Sequence, residues 1–172
     1  MEDWAPNFSW IQPDLAVGGA FPIERAAHLA ERHGVGAVID VRSESCDDPK
    51  VLEACGLRFL HLPTPDMQAV SQARLDQGVA FAEAAAEAGL RLLVHCEHGI
   101  GRSALVALCV LVGRGLAPLD ALRLAKDARM AVSPSEAQYR AWRQWIGRRA
   151  RFLPPSYHEF GMIAYRRLAQ ST

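Results

Sequence analysis

The sequence has no net charge, no long hydrophobic run and no paired cysteine motif, and each absence excludes a class of protein. Lysine and arginine together number 19, as do aspartate and glutamate, so the chain has no general attraction to nucleic acid or to an anionic membrane. No apolar stretch reaches the roughly 18 residues that a membrane-spanning helix needs. The acidic start, which contains Trp4 and Trp10, lacks the pattern of a signal peptide. We therefore expect a cytosolic protein that binds neither nucleic acid nor membrane.

The cysteines do not follow the spacing of a disulfide framework or of a zinc site. The chain has four of them: Cys46, Cys55, Cys96 and Cys109. In a reducing compartment we expect free thiols. His95 and His98 flank Cys96, but ligands this close together, without a second pair elsewhere, make a poor tetrahedral zinc site. A regulatory disulfide between Cys96 and either Cys46 or Cys55 stays open, because the sequence does not give the distance between the sulfur atoms.

The pattern of hydrophobic residues alternates between strands and helices. The predicted strands are 15–17, placed at an edge, 36–41, 58–62 and 90–95. Predicted helices begin near Pro22, Pro49, Ser71, Arg102, Pro118, Ser135 and Tyr157, and 63–70 is predicted to be a loop. This alternation predicts an α/β fold with a central, mostly parallel (mixed) sheet of four to five strands and helices on both faces.

Length and composition predict a single domain over residues 1–172. Half of the 172 residues are hydrophobic, which is enough for one substantial core. The chain is too short for two ordinary domains. We place the core at about residues 10–150 and expect 151–172 to be a C-terminal extension that packs as a helix. We expect a monomer.

The run HCEHGIGRS at residues 95–103 directly follows a predicted central strand and opens the next helix. Ligands of parallel sheets bind beyond the carboxyl ends of the strands, which is where this loop lies. Backbone N–H groups and the positive end of a helix converge in such a loop and favour an anion. We therefore expect this loop to bind a phosphate group. The residues concerned are Glu97, His98, Gly99, Ile100, Gly101 and Arg102.

The side chains of this run supply the rest of a phosphate-cleaving site. The same anion-binding field favours the thiolate of Cys96, which should ionise well below the usual value of about 8.5. Arg102 presents a planar fork that binds two phosphate oxygens, and Ser103 can donate a hydrogen bond to the sulfur. His95 is expected to support the loop and the thiolate. These residues predict cleavage of a phosphate ester through a covalent phosphocysteine.

Residues 95–103 resemble the HCxxGxxR[S/T] motif of the cysteine-based protein tyrosine phosphatase superfamily. The short chain, without a KNRY-like segment, resembles the dual-specificity branch of small atypical type, and the likeness extends to residues 15–19, 38–41 and 92–96. The resemblance implies a protein tyrosine phosphatase-like fold and activity on phosphotyrosine in proteins, with phosphoserine and phosphothreonine left open. It implies no metal or organic cofactor.

The leaving oxygen needs a proton, so a carboxylic acid should lie on a loop over the pocket. The candidates are Asp40, Asp47, Asp48, Asp66 and Asp76. Asp66 follows Pro65 in the predicted loop, 30 residues before Cys96, and both the spacing and the Pro-Asp pair resemble the family's acid loop. We therefore predict that Asp66 is the acid of the first step and the base of the second. Asp47 and Asp48 are interpreted as turn and cap residues.

Several surrounding residues receive weaker interpretations. Met67 or Gln68 is expected to touch the substrate. Gln138 is similar to a late glutamine of many relatives, but we place it on a helix surface. Arginines crowd into residues 140–151, and we interpret them as the exposed face of a helix, with docking of an acidic partner as the alternative.

Two rival functions stay open at this stage. Relatives in the superfamily also act on phosphoinositides, inositol phosphates and RNA 5′ triphosphates. Glu97 adds negative charge and argues against such polyanions, whereas His98 beside Gly99 resembles the RNA triphosphatase variant. A phospho-dependent binding protein with little turnover is the other rival. Our main prediction is a phosphomonoester hydrolase whose partner is a phosphorylated protein or peptide.

Overall fold

A computed structural model describes residues 4–167 of the chain, which form a mixed sheet with helices on both faces. The strands of this sheet are β1 (Phe8–Gln12), β2 (Leu15–Gly18), β3 (Val35–Arg42), β4 (Arg58–Thr64) and β5 (Arg91–His95). Their order across the sheet is β1-β2-β5-β3-β4, and the β1–β2 pair is antiparallel whereas the other pairs are parallel. The predicted fold class is confirmed.

The edges of the sheet differ from the prediction. Residues 8–12 were not predicted as a strand, yet β1 pairs with β2, so the prediction that 15–17 forms an edge is wrong. At the other edge β4 continues through Pro63 to Thr64, and the loop predicted at 63–70 therefore starts at Pro65. Proline is tolerated there because an edge strand has N–H groups that need no partner strand.

The helices begin close to the positions that the sequence predicts. Their bounds are α1 (Ala26–His33, after a 3₁₀ turn at Ile23–Arg25), α2 (Pro49–Ala54), α3 (Gln72–Glu87), α4 (Arg102–Gly113), α5 (Pro118–Ala128), α6 (Glu136–Arg149) and α7 (Tyr157–Ala164). Asp48 caps α2 and Ser71 caps α3 through their side-chain oxygens. Gly34 ends α1 in the left-handed conformation. None of the helices between residues 4 and 167 is long and apolar enough to cross a membrane.

The larger core lies between the sheet and the helices α3 to α7, and the smaller one lies under α1 and α2. Helix α4 follows the central strand β5 and is buried along nearly its whole length. The predicted arginine-rich face of α6 is exposed, while Trp142 and Trp145 on the opposite side are fully buried. Burial of α4 between sheet and helices fixes the position of the loop that precedes it.

The C-terminal helix α7 is part of the larger core. Phe160 is completely buried, and its ring lies 4.9 Å from that of Tyr139 and 6.1 Å from that of Trp142, measured between ring centroids. The last helix was predicted to run to residue 169, but it ends at Ala164, residues 165–167 are not helical, and residues 168–169 lie outside the described range. Within the described part of the C-terminal extension, only residues 157–164 form a helix, and this helix packs on the larger core.

We predict that Phe160→Ala lowers the free energy of unfolding by about 3–5 kcal/mol, because it leaves a cavity among buried aromatic rings. Met162 lies on the same helix with 67% of its surface exposed, so Met162→Ala is the matched control and should change stability by less than about 0.5 kcal/mol. Urea unfolding measures both. Equal effects of the two substitutions would show that α7 is not part of the cooperative core.

Candidate active site

The loop at residues 96–101 joins the carboxyl end of β5 to the start of α4. Gly99 has a φ of 70°, and a Cβ there would lie 2.5 Å from the carbonyl carbon of Gly18. At Gly101 a Cβ would collide with the side-chain amide of Gln138. Glycine is therefore needed at Gly99 for conformation and at both positions for space.

Cys96 is 3% exposed, and its Sγ lies 3.2 Å from Oγ of Ser103. Burial alone raises the pKa of this thiol, but hydrogen bonds from Ser103 and from the Gly99 N–H, with the charge of Arg102, lower the pKa below its ordinary value. Cys96 lines a cavity of about 100 Å³. The other lining residues are Asp66, Met67, His98, Ile100, Gly101, Ser133 and Gln138.

Arg102 is 1% exposed and is held firmly on one side of its guanidinium. Its Nη1 donates to both carboxylate oxygens of Glu44, at 2.6 and 2.9 Å, and to the carbonyl of Thr64 at 2.8 Å. Its Nε is buried and has no hydrogen-bond partner within residues 4–167. A buried N–H without an acceptor is costly, and a phosphate oxygen is an acceptor that would satisfy it.

His95 is completely buried and bridges the cysteine to a carboxylate. Its Nε2 lies 2.5 Å from Oδ2 of Asp47, and its Nδ1 lies 3.1 Å from the carbonyl oxygen of Cys96. Burial by itself lowers the pKa of His95, but the hydrogen bond and charge of Asp47 outweigh it and raise the pKa above its ordinary value. Asp47 is therefore a buried partner of the site, and our interpretation of it as a turn residue is wrong.

Arg42 connects this pair to the loop. Its guanidinium contacts Oδ1 of Asp40 at 3.0 Å, Oδ1 of Asp47 at 3.2 Å and Oε2 of Glu97 at 3.1 Å. The side chain of Glu97 is thus directed to Arg42, which leaves its backbone N–H as the group that can face a phosphate. Sequence reasoning missed Arg42, because nothing local indicates that a strand residue reaches a loop 55 positions later.

Arg129 holds the opposite side of the loop and was also missed. It donates from Nε to the carbonyl of Gly99 at 2.8 Å and from Nη2 to the carbonyl of His98 at 3.0 Å. The same guanidinium donates to side-chain oxygens of the N-terminal segment, at 2.9 Å to Asn7 and 3.3 Å to Ser9. Because the loop carbonyls bind Arg129, their N–H groups are left for the inner side of the loop.

Asp66 lies at the rim of the cavity. Its Oδ1 is 3.5 Å from Nη2 of Arg102 and accepts a hydrogen bond from the Met67 N–H at 2.9 Å. Met67 has a φ of 64° and lines the cavity with Cys96, whereas Gln68 does not line it. The structure thus brings Asp66 to the predicted nucleophile and arginine.

Gln138 is 1% exposed and lines the same cavity, so its placement on a helix surface is wrong. The side chain forms the capping box of α6 with Ser135, and that box also faces Gly101. The Ser-x-x-Gln spacing was visible in the sequence as a capping signal. The side chain of Gln138 packs against the loop at 65–70 and donates to the carbonyl of Gln68. The helix pattern of the sequence does not reveal this contact.

Two groups of potential metal ligands occur within the described residues, and neither fits a resident ion well. They are Asp40 with Cys46 and His61, and Asp40 with Asp47 and His95. Both groups depend on Asp40, whose carboxylate oxygens already accept from the Arg42 guanidinium at 3.0 Å. A cation at either place would be repelled by Arg42. Cys46 is an exposed free thiol in this region.

A model of the family described as "Polymorphic toxin system, DSP-PTPase phosphatase" matches residues 18–116, more than half of the chain. The chain belongs to this family of cysteine-dependent phosphatases. The matched segment includes Cys96, Arg102 and Asp66, together with strands β3 to β5.

Curated relatives are dual-specificity phosphatases of which this chain covers a part. Dual specificity protein phosphatase 8 of Mus musculus is 31% identical over 109 residues, which is 62% of this chain and 16% of that protein. Dual specificity protein phosphatase 12 of Mus musculus is 35% identical over 103 residues, 59% of this chain and 30% of that protein. The chain thus spans less than a third of the length of these relatives.

Solved structures agree over a larger share of the chain. The active form of Tk-PTP superposes with a TM-score of 0.76 at 25% identity, covering 83% of this chain and 98% of that one. Human DUSP28 gives a TM-score of 0.69 at 27% identity, with 83% and 94% covered. The predicted protein tyrosine phosphatase-like fold and membership of the dual-specificity branch are confirmed.

We predict that Ser103→Ala raises the pKa of Cys96, so that its alkylation sets in at a higher pH, because the thiolate loses a charge-assisted hydrogen bond. The measurement is the pH dependence of iodoacetamide alkylation, followed at the Cys96 peptide by mass spectrometry. Cys109 in the same protein is fully buried, and burial raises the pKa of its thiol, so it should stay unmodified as an internal control. An unchanged alkylation profile in Ser103→Ala would contradict the prediction.

We predict that Asp47→Asn destabilises the fold by about 2 kcal/mol at pH 6, because it removes a charged hydrogen-bond partner of His95. The raised folded-state pKa of His95 means that this contribution is complete below the unfolded value of about 6.5. It is lost as the pH rises through the folded-state pKa, so the difference from wild type should shrink towards pH 9.

Urea unfolding of wild type and Asp47→Asn between pH 6 and 9 measures this dependence. Asp48→Asn is the control, since Asp48 is exposed and caps α2, and asparagine caps as well. A difference for Asp47→Asn that stays constant or grows with pH would contradict the assignment of the effect to His95.

Proposed function

We propose that this chain hydrolyses phosphotyrosine in proteins through a phosphocysteine intermediate, with phosphoserine and phosphothreonine as further candidate substrates. The observation that carries the proposal is the set of groups around one cavity. A buried thiol with a lowered pKa lies beside Arg102, whose buried Nε has no partner within residues 4–167, and Asp66 stands at the rim. A nucleophile, a phosphate-binding fork and a carboxyl group are what such a reaction requires.

In the first step the Cys96 thiolate attacks phosphorus, and the bond from phosphorus to the ester oxygen breaks as the S–P bond forms. Asp66 gives its carboxyl proton to the leaving oxygen. Arg102 and the backbone N–H groups of residues 97–102 bind the equatorial oxygens while they take up charge. The carbonyl contacts of Arg129 support this role, because they keep the N–H side of the loop for the phosphate.

In the second step water attacks the phosphocysteine while Asp66 takes its proton. The S–P bond breaks, inorganic phosphate is released and the Cys96 thiolate returns. The hydroxyl of Ser103 at 3.2 Å stabilises the leaving sulfur. Each carboxyl proton used in the first step is thus recovered in the second, and no metal or organic cofactor takes part.

The rim of the cavity supports a protein substrate with an aromatic leaving group. Met67 and Ile100 are exposed by 68% and 41%, and they offer apolar surface to a tyrosine ring next to the thiol. PTPMT1, which has the same fold at 24% identity and a TM-score of 0.76, has been solved with PI(5)P. The test therefore includes a phosphoinositide, and it also includes the inositol phosphates and RNA 5′ triphosphates that the sequence leaves open.

We also propose that residues 1–172 act as one catalytic domain, as a monomer in the cytosol. The packing of Phe160 into the main core supports inclusion of the C-terminal helix. The four free thiols support a reducing compartment.

The test is a substrate panel assayed with the wild type, Cys96→Ser and Asp66→Asn. The panel holds p-nitrophenyl phosphate, peptides with each of the three phosphorylated residues, a phosphoinositide, an inositol phosphate and RNA with a 5′ triphosphate. We expect Cys96→Ser to lose activity by more than about a thousandfold and Asp66→Asn by roughly a hundredfold or more on phosphotyrosine peptide.

Three outcomes would overturn parts of the proposal. Full activity of Cys96→Ser would exclude the phosphocysteine. Turnover of the triphosphate RNA or of an inositol compound alone would exclude a protein substrate. A wild type that binds phosphopeptide without any turnover would make the chain a binding protein.

A further inference from the structure

The first turn of α6 is wedged between the phosphate-binding loop and the loop that carries Asp66. We name residues 65–70, which follow β4, the acid loop. Two side chains of the α6 turn, Ser135 and Gln138, donate hydrogen bonds to consecutive carbonyls of the acid loop. Both side chains also belong to the capping box that starts the helix.

Ser135 uses its hydroxyl in two directions. The oxygen accepts from the Gln138 N–H at 3.2 Å, which caps the helix, and the O–H donates to the carbonyl of Met67 at 2.8 Å. The capping role needs only an acceptor, so the donated bond is a separate function of the same group. It is made to the residue directly after Asp66.

The side-chain amide of Gln138 likewise makes two different hydrogen bonds. Oε1 accepts from the Ser135 N–H at 2.8 Å, and Nε2 donates to the carbonyl of Gln68 at 3.3 Å. The side chain is 1% exposed and lies against Gly101 of the phosphate-binding loop. One buried amide therefore contacts both loops that the reaction uses.

The acid loop has a conformation that needs such support. Met67 occupies the left-handed region with a φ of 64°, which is unfavourable for a residue with a side chain. In this conformation the Met67 N–H binds Oδ1 of Asp66, the oxygen that lies 3.5 Å from Nη2 of Arg102. Fixing the Met67 carbonyl thus fixes the position of the Asp66 carboxyl group.

We propose that Ser135 and Gln138 are positioning residues that hold the acid loop closed, with Asp66 next to the leaving oxygen. The inference rests on the proposed function, in which Asp66 is the proton donor. Neither residue touches the phosphate in this role. Their loss should therefore resemble a partial loss of the acid rather than a loss of the nucleophile.

The decisive variants keep the cap and remove the donor. Ser135→Asp retains an acceptor for the Gln138 N–H, but a carboxylate has no proton to donate to the Met67 carbonyl. Gln138→Glu retains an acceptor for the Ser135 N–H, but its carboxylate has no N–H to donate to the Gln68 carbonyl. The capping box of α7 shows that glutamate serves at this position, since Glu159 accepts from the Ser156 N–H at 3.0 Å.

The readout is the dependence of kcat on the leaving group. Phenyl phosphate has a poor leaving group and needs the acid, whereas p-nitrophenyl phosphate has a good one and needs it less. We expect Ser135→Asp and Gln138→Glu to lose roughly tenfold on phenyl phosphate and less than about threefold on p-nitrophenyl phosphate. A general effect of the added charge would lower both rates by the same factor.

Three controls accompany these variants. Ser156→Asp makes the same exchange in the capping box of α7, outside the site, and should leave both rates unchanged. Ser135→Thr keeps both the acceptor and the donor and should behave as wild type. In the Asp66→Asn background, Ser135→Asp should cause no further change in leaving-group dependence, because the acid that it positions is already absent.

The outcomes separate this inference from the proposed function. Equal losses on both substrates in Ser135→Asp and Gln138→Glu, with a strong leaving-group effect in Asp66→Asn, would overturn the inference and leave Asp66 as the acid. A Ser135→Thr variant as impaired as Ser135→Asp would overturn it as well. Absence of a leaving-group effect in Asp66→Asn would overturn the proposed function itself. If thermal unfolding shows that Ser135→Asp is not folded, Gln138→Glu alone decides the question.

Discussion

The guanidinium of Arg42 contacts carboxylates from three separate parts of the chain, and the shape of the site depends on that contact. Asp40 belongs to the same strand, Asp47 lies before α2 and Glu97 follows the cysteine. Without the central cation, two buried carboxylates and a third would face one another at close range, which is strongly destabilising. Through Asp47 the same cation influences His95 and, with it, the backbone of Cys96. The cysteine is thus placed by charges on the sheet as well as by its own loop.

Two other arginines contact the loop at residues 96–101 from opposite sides. Arg129 binds carbonyls on the outer side, whereas Arg102 lies on the inner side with Nε left without a partner within the described residues. Glu44 neutralises part of the inner charge and fixes one end of that guanidinium. Hydrogen bonds from Ser103 and the Gly99 N–H, together with the charge of Arg102, outweigh burial and hold the pKa of the Cys96 thiol below its ordinary value.

Features that depend on neighbours along the chain could be predicted from the sequence, and features that depend on distant contacts could not. The cap at Asp48 and the strand–loop–helix passage around Cys96 are local, and the structure has them where expected. Asp47 was misjudged because its partner, His95, lies 48 positions away. Gln138 was misjudged for a similar reason, because a capping box can face solvent or a second loop with the same residues.

The N-terminal strand has a further consequence through Arg129. Asn7 and Ser9 bind the guanidinium that in turn binds the loop carbonyls of His98 and Gly99. Besides the backbone hydrogen bonds through β2, Arg129 thus gives β1 a direct side-chain connection to the loop. A displacement of β1 would therefore move the guanidinium of Arg129 and, with it, the carbonyls of His98 and Gly99. The position of the first strand thus influences the position of the loop that contains Cys96.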